Sequence, residues 1–221
     1  MLRRTLAFDP GHPEDWTAWV ARLSVGALAL AFIWTGPFGP AVAPADTRAL
    51  LGGFALAGVV AGALLNALPG TGLRAMRVVE TAWTVAFGLH LLGHTANLYE
   101  AWPPYDLVVH GAGGALAAFA ALALLGGTRW FYDRDALTPL RVFWFVVATV
   151  SAVGVAVEIG EYTADNVLGT REQTDPVQPR LDDTMTDILA ESVTGVAVAS
   201  WAAWRVRGSG RRLARGATAQ P

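Results

Sequence analysis

The sequence predicts an all-α, polytopic membrane helix bundle of about six transmembrane helices with both termini cytoplasmic. Three observations carry this. Of 221 residues, 53% are hydrophobic and only 15% are charged, against about 25% charged in soluble globular chains. The mean hydropathy is +0.40. The apolar residues also come in long blocks rather than at amphipathic spacing.

A bilayer core of about 30 Å takes about 20 apolar helical residues. Six segments meet that length: 18–36, 49–68, 78–98, 105–126, 140–163 and 183–205. Gly/Pro punctuation separates them, as in Gly36-Pro37-Phe38-Gly39-Pro40, Pro69-Gly70, Pro103-Pro104 and Gly126-Gly127. Six such segments in succession cannot share one soluble core of this size. Residues 1–221 therefore read as a single membrane domain. Its first three spans lie in 18–98, its last three in 105–205, and a basic cytoplasmic tail follows over 206–221.

Arginine placement orients the chain in the membrane. With the N-terminus inside, the inner segments hold Arg3, Arg4, Arg74, Arg77, Arg129, Arg134, Arg141, Arg205, Arg207, Arg211, Arg212 and Arg215. The outer loops hold only Arg48, Arg171 and Arg180, a clear positive-inside bias. Trp16, Trp19, Trp130, Trp144, Trp201 and Trp204 fall at inner boundaries and Trp34 and Trp102 at outer ones, as an aromatic belt requires. Arg3, Arg4 and Ala43-Pro44-Ala45 imitate a cleaved signal peptide. The spacing from the apolar run to that tripeptide is too long, so the expectation is an uncleaved first span.

Composition excludes several classes of function. There is no cysteine, which rules out disulfides, thiolate metal sites and cysteine nucleophiles. All basic residues are Arg and the net charge is -2, so there is no footprint for nucleic acid. His110-Gly111-Ala112-Gly113-Gly114 follows no strand and is no nucleotide loop; its glycines instead let a neighbouring helix approach. A Gly-x-Ser-x-Gly elbow, a His-Glu-x-x-His pair and the phosphoalcohol transferase pattern are all missing.

The chemistry gathers on the last four spans. The third carries His90 and His94, the fourth Asp106 and His110, the fifth Glu158 and Glu161, and the sixth Asp183, Asp187 and Glu191. Each set is spaced i,i+3 or i,i+4 and so shares one helix face. At 1.5 Å rise per residue, His90, His110, Glu158 and Asp187 each lie on the order of 5–12 Å below the outer edge. Asp106, Glu158, Glu161, Asp183 and Asp187 then share one low-dielectric neighbourhood, where each ionised side chain costs at least a few kcal/mol. Bound cations, protonation, or Arg171 and Arg180 must compensate them. His with Asp and Glu suits a divalent metal such as Zn, Mn or Fe. On this reading His110, Glu158, Glu161, Asp187, His90 and His94 are metal ligands, and Asp106 and Asp183 are a catalytic ligand or base.

Plainer roles compete for some of these residues. Asp182, Asp183 and Asp106 open helices and can cap them. His90 and His94 can hydrogen-bond a neighbouring helix. Glu80 sits near the inner edge, where solvation is expected, and Glu191 fits either role.

Tyr105-Asp106-Leu107-Val108-Val109-His110, Glu158-Ile159-Gly160-Glu161, Leu168-Gly169-Thr170 and Asp183-Thr184-Met185-Thr186-Asp187 followed by Gly195 together resemble the YjdF-like family of uncharacterised bacterial inner-membrane proteins. A looser likeness links the same order of groups to VanZ-like membrane proteins. The likeness covers 105–195, and the stretch from Arg171 to Leu181 is longer than the family's connection. It implies a membrane fold and a shared site, not a reaction.

Three functions fit: a metal-dependent membrane enzyme acting on a lipid-linked or amphiphilic substrate, a cation or proton carrier, and a structural or assembly subunit. Lipid-side apolar access favours the first, and an open path to the cytoplasm the second.

Overall fold

Every element among the described residues of the computed structural model is helical. Those residues are 11, 13–35, 52–53, 56–57, 59–60, 73–127, 138–168 and 180–217. The helices are α1 (Pro13–Thr35), α2 (Leu73–Thr95), the single turn α3 (Leu98–Ala101), α4 (Pro104–Gly127), α5 (Pro139–Leu168) and α6 (Arg180–Ala217).

The punctuation works as the sequence implied. Pro13, Pro104 and Pro139 each stand at the first position of a helix, where the missing N–H costs nothing and φ is already helical. Thr138 caps α5, its Oγ1 accepting from the Arg141 N–H at 3.3 Å and its carbonyl from Val142 at 3.1 Å. After α2, Asn97 takes a left-handed conformation, φ 55 and ψ 36. That turns the chain into α3, an element the hydropathy pattern did not foresee.

Three helices are long and apolar enough to cross a membrane: Asp15–Trp34, Pro104–Gly126 and Pro139–Val167. They match the first, fourth and fifth expected spans. The third and sixth expected spans are the helices α2 and α6. Both are long, but α2 holds Arg74, Arg77 and Glu80, and α6 holds Asp182, Asp183, Asp187 and Glu191, which lowers their apolar content. Most of the second expected span, 49–68, and the expected outer loop with Arg171 lie outside the described residues. α6 is longer than expected at both ends. Residues 206–217, expected as a tail, continue the helix, in keeping with the helix propensity of their Arg and Ala.

The pairing register gives the direction of each element. Asp15 and Arg22 of α1 meet Arg77 and Glu80 of α2, and Ala29 and Phe32 meet Leu91, so α1 and α2 run parallel. Gly52 lies against Ile33, and Leu56 packs on the Ala29–Phe32–Leu91 cluster. Tyr105 of α4 donates to the Leu89 carbonyl of α2 at 2.8 Å, an antiparallel register. Val142 pairs with Leu125 and Ala202, and Val146 with Ala118, Ala121 and Ala199. α5 is therefore antiparallel to both α4 and α6. α4 is the central helix, in contact with α2, α5 and α6.

Small residues set the helix spacing. Gly114 lies directly against the Glu191 backbone, and Gly195 against the Val150 side chain, the close approach that small residues permit between membrane helices. The polarity is reversed relative to a soluble bundle. On α6, Asp183, Asp187 and Glu191 are buried, while Leu181, Met185, Leu189 and Val193 point outward.

One expectation fails at the other end. Glu80, near the inner edge, was expected in solvent. Glu80 and Arg77 are instead fully buried. Arg77 bonds Asp15 at 3.0 Å and Glu80 at 3.1 Å, Arg22 pairs with Glu80, and Arg22 also lies 4.8 Å over the Trp19 ring. Buried ionisable groups thus occupy two levels of the bundle rather than one. The missed signal was Asp15, which falls just before the apolar run yet lies two turns from Arg22 on the same helical face.

Candidate functional site

His110 is the centre of the acidic cluster, and helical spacing puts it there. It lies on α4 one turn below Asp106 and is 6% exposed. Its Nδ1 is 3.1 Å from Glu191 Oε1 and 4.0 Å from Glu158 Oε1. Its Nε2 is 3.6 Å from Asp106 Oδ1 and 3.8 Å from Asp187 Oδ2. Each ring nitrogen therefore faces carboxylates.

Two sets of donor atoms come within 4.8 Å of one another: Asp106, His110 and Asp187 on one side, and His110, Glu158 and Glu161 on the other. Glu158 and Asp187 are buried, whereas Asp106 keeps a side chain one third exposed. Asp183 is buried one turn above Asp187 on the same face of α6. Asp106 and Asp183 also stand in the first turns of their helices, where the partial positive charge of the helix end favours an anion.

The structure thus brings together Asp106, His110, Glu158, Glu161 and Asp187. His90 and His94 stand outside both sets. They instead form an aromatic group with Tyr99. Glu191, open in the sequence reading, is the residue nearest to His110. The signal for it was the i, i+4, i+8 series 183, 187, 191 on a helix whose opposite face is apolar.

Glu191 sits in a slot made by two glycines. A Cβ at Gly154 of α5 would collide with the Glu191 carboxylate, and one at Gly114 of α4 would collide with its backbone. Gly154→Ala should therefore displace the carboxylate and destabilise the bundle by about 1–3 kcal/mol, as overpacking typically does. Thermal unfolding in detergent checks this; a variant as stable as the wild type would refute the slot.

A shallow groove of about 300 Å³ lies between α5 and α6. Its walls are Val155, Ile159, Tyr162, Thr184 and Ile188, and Glu158 lies at its edge.

A helical bundle with reversed polarity and a buried His/Asp/Glu centre defines the class as an integral membrane protein. The family described as "Predicted membrane protein (DUF2238)" matches residues 20–208, and the chain belongs to that family. No curated protein and no solved structure matches it.

Proposed function

We propose that the protein is a six-span bacterial inner-membrane protein with cytoplasmic termini whose His110 centre holds a divalent cation near the outer face. On this reading it is a metal-dependent enzyme acting on a lipid-linked or amphiphilic substrate. The observation that carries the reading is the two-sided environment of His110. Glu191 at 3.1 Å from Nδ1 orients the ring in the way carboxylates orient metal-ligating histidines. Nε2 then joins Asp106 and Asp187 as a set of one nitrogen and carboxylate oxygens, which suits Zn, Mn or Fe.

When bound, a divalent cation supplies Lewis acidity and compensates buried negative charge. The residues divide the remaining work. Asp106, at the exposed rim, leaves an approach open. Glu158 and Glu161, on the other side of the ring, are placed to take up or return a proton. The apolar groove at Glu158 gives a substrate a route from the bilayer, which favours an amphiphile over a soluble ion. The likeness to YjdF-like proteins is part of this reading, because its motif residues are those at the centre.

Element analysis of detergent-purified, tag-free protein should find a divalent metal at near-stoichiometric level. In the His90→Gln/His94→Gln background, His110→Gln and Asp187→Asn should each lower it at least tenfold. Metal-free wild type would refute the reading.

The orientation has its own test. The chain lacks cysteine, so single cysteines report without background. Cysteines at Gln173 and Pro103 should react with an impermeant thiol reagent from outside, and those at Gly127 and Gly208 should not. The reverse pattern would put the centre at the cytoplasmic face.

A further inference from the structure

We infer that His90, His94 and Tyr99 form a second metal site, for Cu²⁺ or Zn²⁺, at the turn joining α2 to α4. It is separate from the His110 centre and does not depend on it.

His90 and His94 are spaced i,i+4 on α2, the spacing at which two imidazoles on one helix face reach a single ion. Their ring centroids are 4.7 Å apart and both rings are half-buried. The Tyr99 hydroxyl lies 2.9 Å from His90 Nδ1, and its ring is 4.8 Å from that of His94. A hydrogen bond at Nδ1 fixes the imidazole and makes Nε2 the ligating nitrogen, the usual role of an outer partner at a metal-binding histidine. Imidazole nitrogens are borderline donors that select Cu²⁺ or Zn²⁺ over harder ions.

The turn is built to bring Tyr99 there. Asn97 adopts φ 55, a conformation that costs energy for a residue with a Cβ and persists only where its surroundings enforce it. At Gly93, between the two histidines, a Cβ would collide with the rings of both Tyr99 and Tyr105. A left-handed residue and an obligatory glycine together seat one tyrosine over the histidine pair. Helix termination alone needs neither Tyr99 nor the pair.

The test is titration of tag-free, metal-stripped protein with Cu²⁺ alone, read by electron paramagnetic resonance for nitrogen coupling. Wild type should bind a Cu²⁺ with coupling to imidazole nitrogen. His90→Gln/His94→Gln should weaken that event about 100-fold. Tyr99→Phe should weaken it about tenfold, as losses of an outer partner do. Asp187→Asn, in the other centre, should leave it unchanged. Unfolding without metal shows whether each variant is folded, and Tyr99→Phe keeps the packing should the pair variant fail. Wild-type titration by the pair variant, or by Tyr99→Phe when the pair variant is unfolded, would overturn the site. Loss of the event in Asp187→Asn would assign it to the His110 centre and overturn it equally.

Discussion

Arg77→Ala is expected to be among the most damaging single substitutions, costing about 3–5 kcal/mol. Arg77 is fully buried and its guanidinium joins Asp15 of α1 to Glu80 on its own helix. Removing it takes the guanidinium from between two buried acids, while Arg22 still pairs with Glu80. Asp15 loses its bond to Arg77, and breaking a buried ion pair from one side costs far more than the pair contributed. Replacing Asp15, Arg22, Arg77 and Glu80 together by Leu or Met removes both signs of charge. The expected loss is then smaller than for Arg77→Ala alone. Unfolding midpoints in detergent check the order; a quadruple variant less stable than the single one would refute this account of the network.

The second large effect concerns the acidic centre and has a sign that separates two explanations. Asp106, Glu158, Glu161, Asp187 and Glu191 surround one histidine, and Asp183 is buried one turn away on α6. Under the metal reading, saturating cation stabilises the fold by mass action, about 2.7 kcal/mol at a hundred times its dissociation constant. Chelation should therefore lower the unfolding temperature. Asp187→Asn should remove most of the metal-dependent increment, since an amide keeps size but loses charge and ligand strength. Glu158→Gln and Glu161→Gln should lower it less, by weakening the charge that holds the cation. In chelator the same variants should match or exceed the wild type, because each removes one repelling carboxylate. If protonation compensates the acids instead, chelator has no effect and all three variants are neutral or stabilising without it.

The sequence made the centre legible because two helices running each way place late and early positions at one depth. His110, Glu158 and Asp187 meet as that arithmetic implied. Helical spacing alone could not say which acid lies nearest the ring. That depends on Gly114 and Gly154, whose missing side chains let Glu191 in. Nor could depth separate His90 from His110. Both lie near the same level, but Asn97 turns the chain so that Tyr99, not a carboxylate, meets His90.

Helix boundaries were legible where proline marks them, at Pro104 and Pro139, and less so at Pro13, because Asp15 and Arg22 obscured the apolar pattern of α1. The buried Arg77–Glu80 network was not legible for the same reason. Hydropathy counts charges as boundary signals, whereas paired charges of opposite sign on adjacent helices can enter the bundle.

The most direct test of the central claim is electron–nuclear double resonance on Mn²⁺-loaded protein in the His90→Gln/His94→Gln background. The account predicts hyperfine coupling to one imidazole nitrogen that disappears in His110→Gln and persists in Glu80→Gln. A Mn²⁺ signal without nitrogen coupling, or coupling that survives the loss of His110, would contradict a cation held at His110.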